Sequence, residues 1–454
     1  MDFVKLHELK LTIKSYIPER IWISLIKVYN FLGLRNLYAF YLINRAPKRH
    51  LKALELVRKK ESVKVAFFLN HESVWKYDVL YDLMLQHPRF EPKVFVCPVV
   101  NFGMENMLFE MDKAFEAFKN KRYDVIKTYN KETGEYLDIK STFSPDIVFF
   151  TNPHEGLQDY RYYINQFANT LTCYVPYAIM MVNYEFTYNL DFHNLVWKIF
   201  SETPIHKEIA LKKQRNKGKN CIVTGYPGFD PLLMYKSHKE AWKNKNPTVK
   251  KIIWAPHHSM TDYNKVANFM EYYDFFLELA INYKDKLQIA FKPHHLLRVK
   301  LESDSYWGKE KTDIYYTKWA NLHNGQLENG DYIDLFLKSD ALIHDCGSFM
   351  AEYLITGKPS LFMVRDESIM DYWNAFGEKA IEAHYQSRNK KQVIDFIENV
   401  VLKGNDWMKE ERNAFVKNTL LPKNNLTASE NILNYLENEI FGYFGFSNIL
   451  KGNF

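Results

Sequence analysis

DYIDLFLKSDALIHDCGSFMAEYLITGKPSLFMV, residues Asp331 to Val364, reads as helix, strand, tight turn, helix, strand. The apolar run Ala341 to His344 is a strand, Asp345-Cys346-Gly347-Ser348 a polar turn, and Phe349 to Thr356 a helix. A turn that opens a helix aims free backbone N–H groups and the positive end of the helix dipole outward. That makes an anion site, most often one for phosphate.

The same rhythm runs outward from this stretch. Upstream lie Lys251 to His258 (KIIWAPHH), a helix expected over Asn264 to Tyr283, and Leu287 to His295 (LQIAFKPHH). Earlier still come Lys64 to Asn70, Lys93 to Val100, Asp146 to Pro153, Leu171 to Tyr177 and Asn220 to Asp230. Short apolar runs separated by helical stretches indicate parallel sheets covered on both faces. The polar, Lys-rich segment Lys236 to Lys251 reads as a solvated boundary. The expectation is an α/β chain of two Rossmann-like doubly wound domains facing a cleft, with ligands beyond the carboxyl ends of the strands. The boundaries are a helical segment over 1–60, a first domain over 61–235, a second over 250–400 and C-terminal helices over 401–454.

The chain has 454 residues, enough for two or three domains, and 47% hydrophobic and 25% charged residues, an ordinary globular balance. The net charge of +6 could favour anionic substrates or an anionic membrane surface, or carry no specific meaning. Four widely spaced cysteines with no CxxC spacing argue against structural zinc and fit a reducing cytoplasm. No signal peptide and no long uncharged apolar stretch is present. Ile21 to Ile43 is aromatic, amphipathic and flanked by Lys and Arg. It fits a membrane interface or a helix packed on its own domain, so localisation is expected to be cytoplasmic or peripheral on the inner membrane face. Dispersed basic residues exclude nucleic-acid binding.

Three strands of the second half end in histidines: His257 and His258, His294 and His295, and His344 before Asp345. No HxH or HxxxH spacing supports a metal, so none is expected. The remaining chemistries are a general base and, favoured for His294, stabilisation of a diphosphate leaving group. Lys292 and Arg298 bracket the same tip and could each pair with phosphate or form an ordinary salt bridge. Ser348 and Glu352 share one helix face. A serine hydroxyl can donate to phosphate and a carboxylate can accept ribose hydroxyls; an N-cap serine beside a dipole-matched glutamate is the alternative. In the first half His154 and Glu155 are candidate bases for an acceptor hydroxyl, and His71 is a weaker one.

Together these residues resemble the CDP-glycerol glycerophosphotransferase family of teichoic-acid and capsule polymerases. The resemblance rests on Lys292-Pro293-His294, on Asp331-Tyr332-Ile333-Asp334-Leu335-Phe336, on Ser339 to Ser348 with Glu352 in the acidic place, and on Thr356-Gly357-Lys358-Pro359. Gly225, Pro227 and Asp230 look like the family's turn into the nucleotide domain. It covers residues 220–365. It implies a GT-B arrangement and a CDP-linked polyol-phosphate donor, CDP-glycerol or CDP-ribitol. Ser348 and Gly347 would lie on the diphosphate with His257, His258, Lys292 and Asp345, Glu352 near the ribose, and His294 at the leaving phosphate. The acceptor would be a polysaccharide or lipid-linked glycan, with no further cofactor required. The family's Trp-His-Gly-Thr-Pro motif has only Tyr174-Val175-Pro176-Tyr177-Ala178 as counterpart, without histidine. A GT-B glycosyltransferase using a nucleotide sugar and a non-catalytic glycan-assembly scaffold are the rival readings.

Overall fold

The computed structural model describes residues 34–234, 240–260, 266–303, 306–330 and 332–442. Most of the amphipathic stretch Ile21 to Ile43, part of the Lys-rich boundary and Asp331 lie outside them. The chain folds as two compact units. The first holds residues up to Ala178, Glu185–Pro227 and the stretch from Leu426. The second holds Ile179–Tyr184 and Gly228–Asn425.

The first unit is a seven-stranded parallel sheet in the order β3-β2-β1-β4-β5-β6-β7. Its strands are β1 Val63–Leu69, β2 Phe90–Val96, β3 Val125–Lys127, β4 Ile147–Phe150, β5 Leu171–Tyr174, β6 Lys198–Ser201 and β7 Cys221–Val223. Continuous apolar runs make these strands because both faces are covered: Ala66, Phe68, Phe95, Val148, Phe150 and Tyr174 share one core. The final helix Ala428–Phe441 belongs to this unit, its Glu437 meeting His87 at 3.1 Å with both groups buried. The N-terminal helix Leu34–Val57 packs Leu42 and Ala46 into the same core. No helix among the described residues is long and apolar enough to cross a membrane.

The second unit is a six-stranded parallel sheet in the order β10-β9-β8-β11-β12-β13. Its strands are β8 Lys250–Ala255, β9 Leu287–Phe291, β10 Gly325–Leu327, β11 Ala341–His344, β12 Ser360–Met363 and β13 Tyr385–Ser387. Side chains alternate between two cores. Trp254, Ile289, Phe291, Ile343 and Leu361 face one; Ile253, Ala255, Ala290 and Leu342 face the other. Trp254 stacks on Phe276 at 4.2 Å, anchoring helix Phe269–Asn282.

Both orders reverse direction beside their first strand, so the topological switch point lies between β1 and β4 in the first unit and between β8 and β11 in the second. Several details depart from expectation. The helix expected from Asn264 begins at Phe269. The Lys-rich boundary is partly packed, with Trp242 buried in the second unit's core and the Lys243 and Asn244 N–H groups donating to Gln326 and Gln288. The helix after Ser348 is α-helical only over Phe349–Glu352 and tightens to a 3-10 turn over Tyr353–Thr356. A dipole argument is correspondingly weak there, and recognition has to come from side chains.

Candidate functional site

The second unit's switch point gathers the tips of β8, β9 and β11. Backbone bonds set β8 and β9 side by side past their ends: Lys292 N–H donates to the Trp254 carbonyl (2.8 Å) and His294 N–H to the Pro256 carbonyl (3.0 Å). The two Pro-His-His tips therefore face one another. The ring centroids of His257, His258 and His294 lie 4.3 to 5.0 Å apart.

The trio is small enough to surround a cation, with one ring nitrogen from each within 4.8 Å of the others. The hydrogen bonds point elsewhere. His294 caps helix His295–Glu302 by accepting Leu296 N–H on Nδ1 (3.2 Å). His257 accepts Ser259 N–H on Nδ1 (3.3 Å), with the Ser259 hydroxyl at 2.8 Å. An Nδ1 that accepts cannot carry hydrogen, so each neutral ring holds its proton on Nε2. A metal ligand needs the opposite tautomer. Burial, followed by the neighbouring imidazoles, holds the His294 pKa well below the usual histidine value. The His294 ring is thus a neutral Nε2–H donor, a group suited to phosphate oxygens.

Asp345 is expected among the donor contacts, and the structure gives it another place. It is 1% exposed, and its oxygens accept His257 N–H (2.6 Å), Asn268 N–H (2.6 Å) and Asn268 Nδ2 (3.2 Å). Burial raises its pKa to about 6 while those donors pull the other way. Asp345 thus positions the β8 tip from β11, with both carboxylate oxygens engaged by protein donors. Cys346 likewise turns inward, its thiol donating to the Ala255 carbonyl (3.3 Å).

Ser348 stands at the N-cap of its helix, but its half-buried hydroxyl makes no side-chain capping bond. In front of Gly347 a Cβ would meet nothing within 4 Å, so this part of the turn borders open space. Glu352 is buried, and Tyr332, which sequence reasoning missed as a site residue, donates its hydroxyl to it. Lys292 donates to the Gly330 carbonyl (2.8 Å) and sits 5.7 Å over the Tyr332 ring. Lys292, Tyr332 and Glu352 thereby join three separate sequence motifs. Arg298 is taken up by Glu302 (2.9 Å) and Asp313, as an ordinary salt bridge. The Thr356-Gly357-Lys358-Pro359 turn is structural. Lys358 donates to the last carbonyls of helix Ile333–Lys338, and buried Arg412 holds the Gly357 carbonyl.

The first unit is sparser. His154 follows β4; its backbone N–H donates to Asn152 Oδ1 (2.7 Å), and its ring packs near Tyr177 (6.2 Å) and Phe186 (6.4 Å). Burial lowers its pKa, keeping it neutral and able to accept a proton. Glu155 is exposed on the loop beyond. His71, just past β1, meets Glu110 at 3.5 Å.

The sequence profile of the CDP-glycerol:poly(glycerophosphate) glycerophosphotransferases matches residues 177–438, more than half of the chain. The chain belongs to that family. A variant of the wall teichoic acid polymerase TagF superposes on this glycerophosphotransferase-family fold with a TM-score of 0.56 at 15% identity, over 91% of this chain and 99% of that one. The UDP complex of S. aureus MnaA gives 0.53 at 16%, over 85% and 99%. The UDP-GlcNAc 2-epimerase of Neisseria meningitidis bound to UDP-GlcNAc gives 0.51 at 17%, over 82% and 99%. At these identities the likeness establishes the GT-B-like fold. No curated protein matches the chain in sequence. The profile begins at Tyr177, so His71 and His154 lie before it, while the whole second-unit site lies inside it.

Proposed function

We propose that this protein transfers a polyol phosphate, glycerol- or ribitol-phosphate, from a CDP-activated donor to a hydroxyl of a cell-surface polysaccharide or lipid-linked acceptor, releasing CMP. The observation that carries the reading is the convergence of His257, His258 and His294 at the switch point, with two of the three tautomers fixed as N–H donors. The diphosphate lies against these rings and the Ser348 hydroxyl, in front of Gly347. The acceptor oxygen attacks the β-phosphorus in line; the bond from that phosphorus to CMP breaks, and His294 donates to the leaving phosphate. Charge spread over phosphate oxygens calls for fixed donors and no covalent nucleophile. Glu352 reaches the ribose only from its buried place beside Tyr332, so its main part is to hold the Tyr332 hydroxyl.

Family membership favours a CDP-polyol over a nucleotide sugar, and a donor screen decides it. Purified protein is offered CDP-glycerol, CDP-ribitol and UDP-sugars, with calorimetry for binding and mass spectrometry for released CMP or UDP. CDP-polyol binding and acceptor-dependent CMP release are expected. UDP release, or no turnover with any donor, would overturn the reading in favour of a glycosyltransferase or a scaffold. The N-terminal helix is proposed to rest on the inner membrane face, since Phe40, Tyr41, Leu51 and Leu56 are exposed beside Arg45, Lys48 and Lys52. Sedimentation with anionic but not neutral vesicles is the expected result.

A further inference from the structure

The first unit carries a polar cleft away from the carboxyl ends of its strands. It lies between helix Leu34–Val57 and the turn Ile164–Phe167, at the amino end of β5, where Thr172 closes it. Its polar lining is Arg49, His50, Asn165 and Thr172; Leu42 and Phe167 are among its apolar walls. All of it belongs to the first unit. We infer that this cleft binds a phosphate group, presented by an anionic lipid headgroup or by a soluble phosphate. The inference goes beyond the transfer reaction proposed above and does not depend on it.

The lining offers donors and no negative charge. Arg49 is half-buried, and no carboxylate pairs with it among the described residues. Its planar fork of N–H groups matches two oxygens of a phosphate. The Thr172 oxygen already accepts Trp197 N–H (3.0 Å), so its own hydrogen is left to donate. The half-buried Asn165 side chain makes no hydrogen bond among the described residues, and its amide offers two further donors.

The charges that bear on His50 are of one sign. Burial is the largest cause that lowers its pKa to about 4. Lys198, the first residue of β6, and Arg49 on its own helix lower it further, against a raising by its bond to the Leu195 backbone. Lys198 lies over rings, Trp197 at 5.5 Å and Tyr435 at 5.4 Å; Glu439 of the final helix bears on Lys198 and not on His50. Two cations thus stand beside a half-buried imidazole without a carboxylate of its own. An anion set among them relieves their repulsion and raises the His50 pKa, and the protonated ring then adds a donor. Arg45, Lys48 and Lys52 on the same helix are exposed and line no cleft, so they bring charge without a site.

That distinction sets the test. Full-length wild type, Arg49→Gln and Lys52→Gln, each checked for an unchanged melting transition, are compared in two arms. In the first, inorganic phosphate is titrated while the imidazole nitrogen resonances are followed by NMR, His50 being assigned by its loss in His50→Gln. Phosphate is expected to move the His50 titration to higher pH. Arg49→Gln should weaken that response about tenfold or more, and Lys52→Gln should leave it within about twofold. Should Arg49→Gln fail to fold, Arg49→Lys keeps the charge, loses the fork and should fall between. In the second arm the proteins are sedimented with phosphatidylglycerol vesicles. A loss larger in Arg49→Gln than in Lys52→Gln assigns the phosphate to a lipid headgroup. Equal vesicle binding beside a lost phosphate response assigns it to a soluble phosphate. If the Arg49 and Lys52 variants match in both arms, the cleft is no site and the helix is only a basic surface. CMP release enters neither arm, so failure here leaves the transfer reaction standing, and failure of the donor screen leaves the phosphate site.

Discussion

The two switch points are built to different standards. In the second unit, two Pro-His-His tips are locked together by backbone bonds and braced from a third strand by Asp345. Their rings are held in one tautomer by backbone N–H groups. In the first unit, His154 hangs among aromatic rings, Glu155 is exposed, and His71 has a single carboxylate at 3.5 Å. The difference follows from what each half would recognise. A nucleotide diphosphate presents the same oxygens every time, so fixed donors set close to the sheet can be kept within a recognisable spacing. An acceptor hydroxyl on a variable glycan asks only for one basic lone pair and a shaped surface.

The most damaging break should come from His294. His294→Ala removes a neutral donor aimed at the leaving phosphate and also the cap on helix His295–Glu302. Loss of one preorganised donor is expected to lower kcat about 10²- to 10³-fold, read as CMP release at saturating donor. His294→Asn, which can still cap the helix, separates the two effects by keeping the melting transition. Retention of full turnover would dissolve the contrast between the two units.

Next in size is an acid limit on the second unit. His344 donates from Nδ1 to the Cys346 carbonyl (3.0 Å) and His384 to the Ala380 carbonyl (2.8 Å), with both rings buried. Burial is the chief cause of their lowered pKa values, about 4 for His384. A depressed histidine contributes stability that is present above the unfolded value of 6.5 and is lost as pH falls towards the folded one. For His384 that loss is about 3 kcal/mol between pH 6.5 and 4. Denaturant titrations across this window should show it, and His384→Met should flatten it. A slope unchanged in the variant would assign the acid loss to other groups.

A smaller change tests the turn itself. Gly347 has no left-handed φ and open space before it, so Gly347→Ala should fold with stability unchanged or raised by about 0.5 kcal/mol. If the diphosphate fills that space, the added methyl should weaken CDP-polyol binding by about tenfold, or 1.4 kcal/mol. Unaltered affinity would move the phosphate away from the Asp345–Ser348 turn.

Legibility in the sequence followed the same divide. Strands β1, β2, β4, β5, β8, β9, β11 and β12 were readable because each contains a short, mostly apolar run buried on both faces. The strands β3, β6, β10 and β13 hold at most two apolar side chains each and leave no such run. The Pro-His-His tips were legible because two identical polar tips end two apolar strands. What stayed hidden depends on contacts across long sequence distances. Asp345 reads as a ligand in a phosphate-like turn, yet folding carries it under the β8 tip to Asn268, 77 residues away. Tyr332 gains a role only when Glu352 and Lys292 are brought around it. Glu110 looks like any charged residue of an amphipathic helix until that helix is laid beside β1.

The smallest expected effect is the one that best sharpens the contrast. Among the described residues His257, His258 and His294 form the sole group of three metal-capable side chains close enough to hold a cation, so a resident cation is tested there. Their tautomers argue against one. For Nε2 of His294 to bind a cation, its hydrogen would have to move to Nδ1, where it would confront Leu296 N–H and uncap the helix. His257 would likewise lose its acceptor for Ser259 N–H. Protein dialysed against a chelator should therefore keep its turnover within about twofold. A loss restored by a transition metal but not by magnesium would mean that the cluster exchanges both backbone bonds for coordination, since imidazoles select the softer ions. The second unit would then neutralise its diphosphate by a cation, and the fixed donors would be the metal-free state of that site.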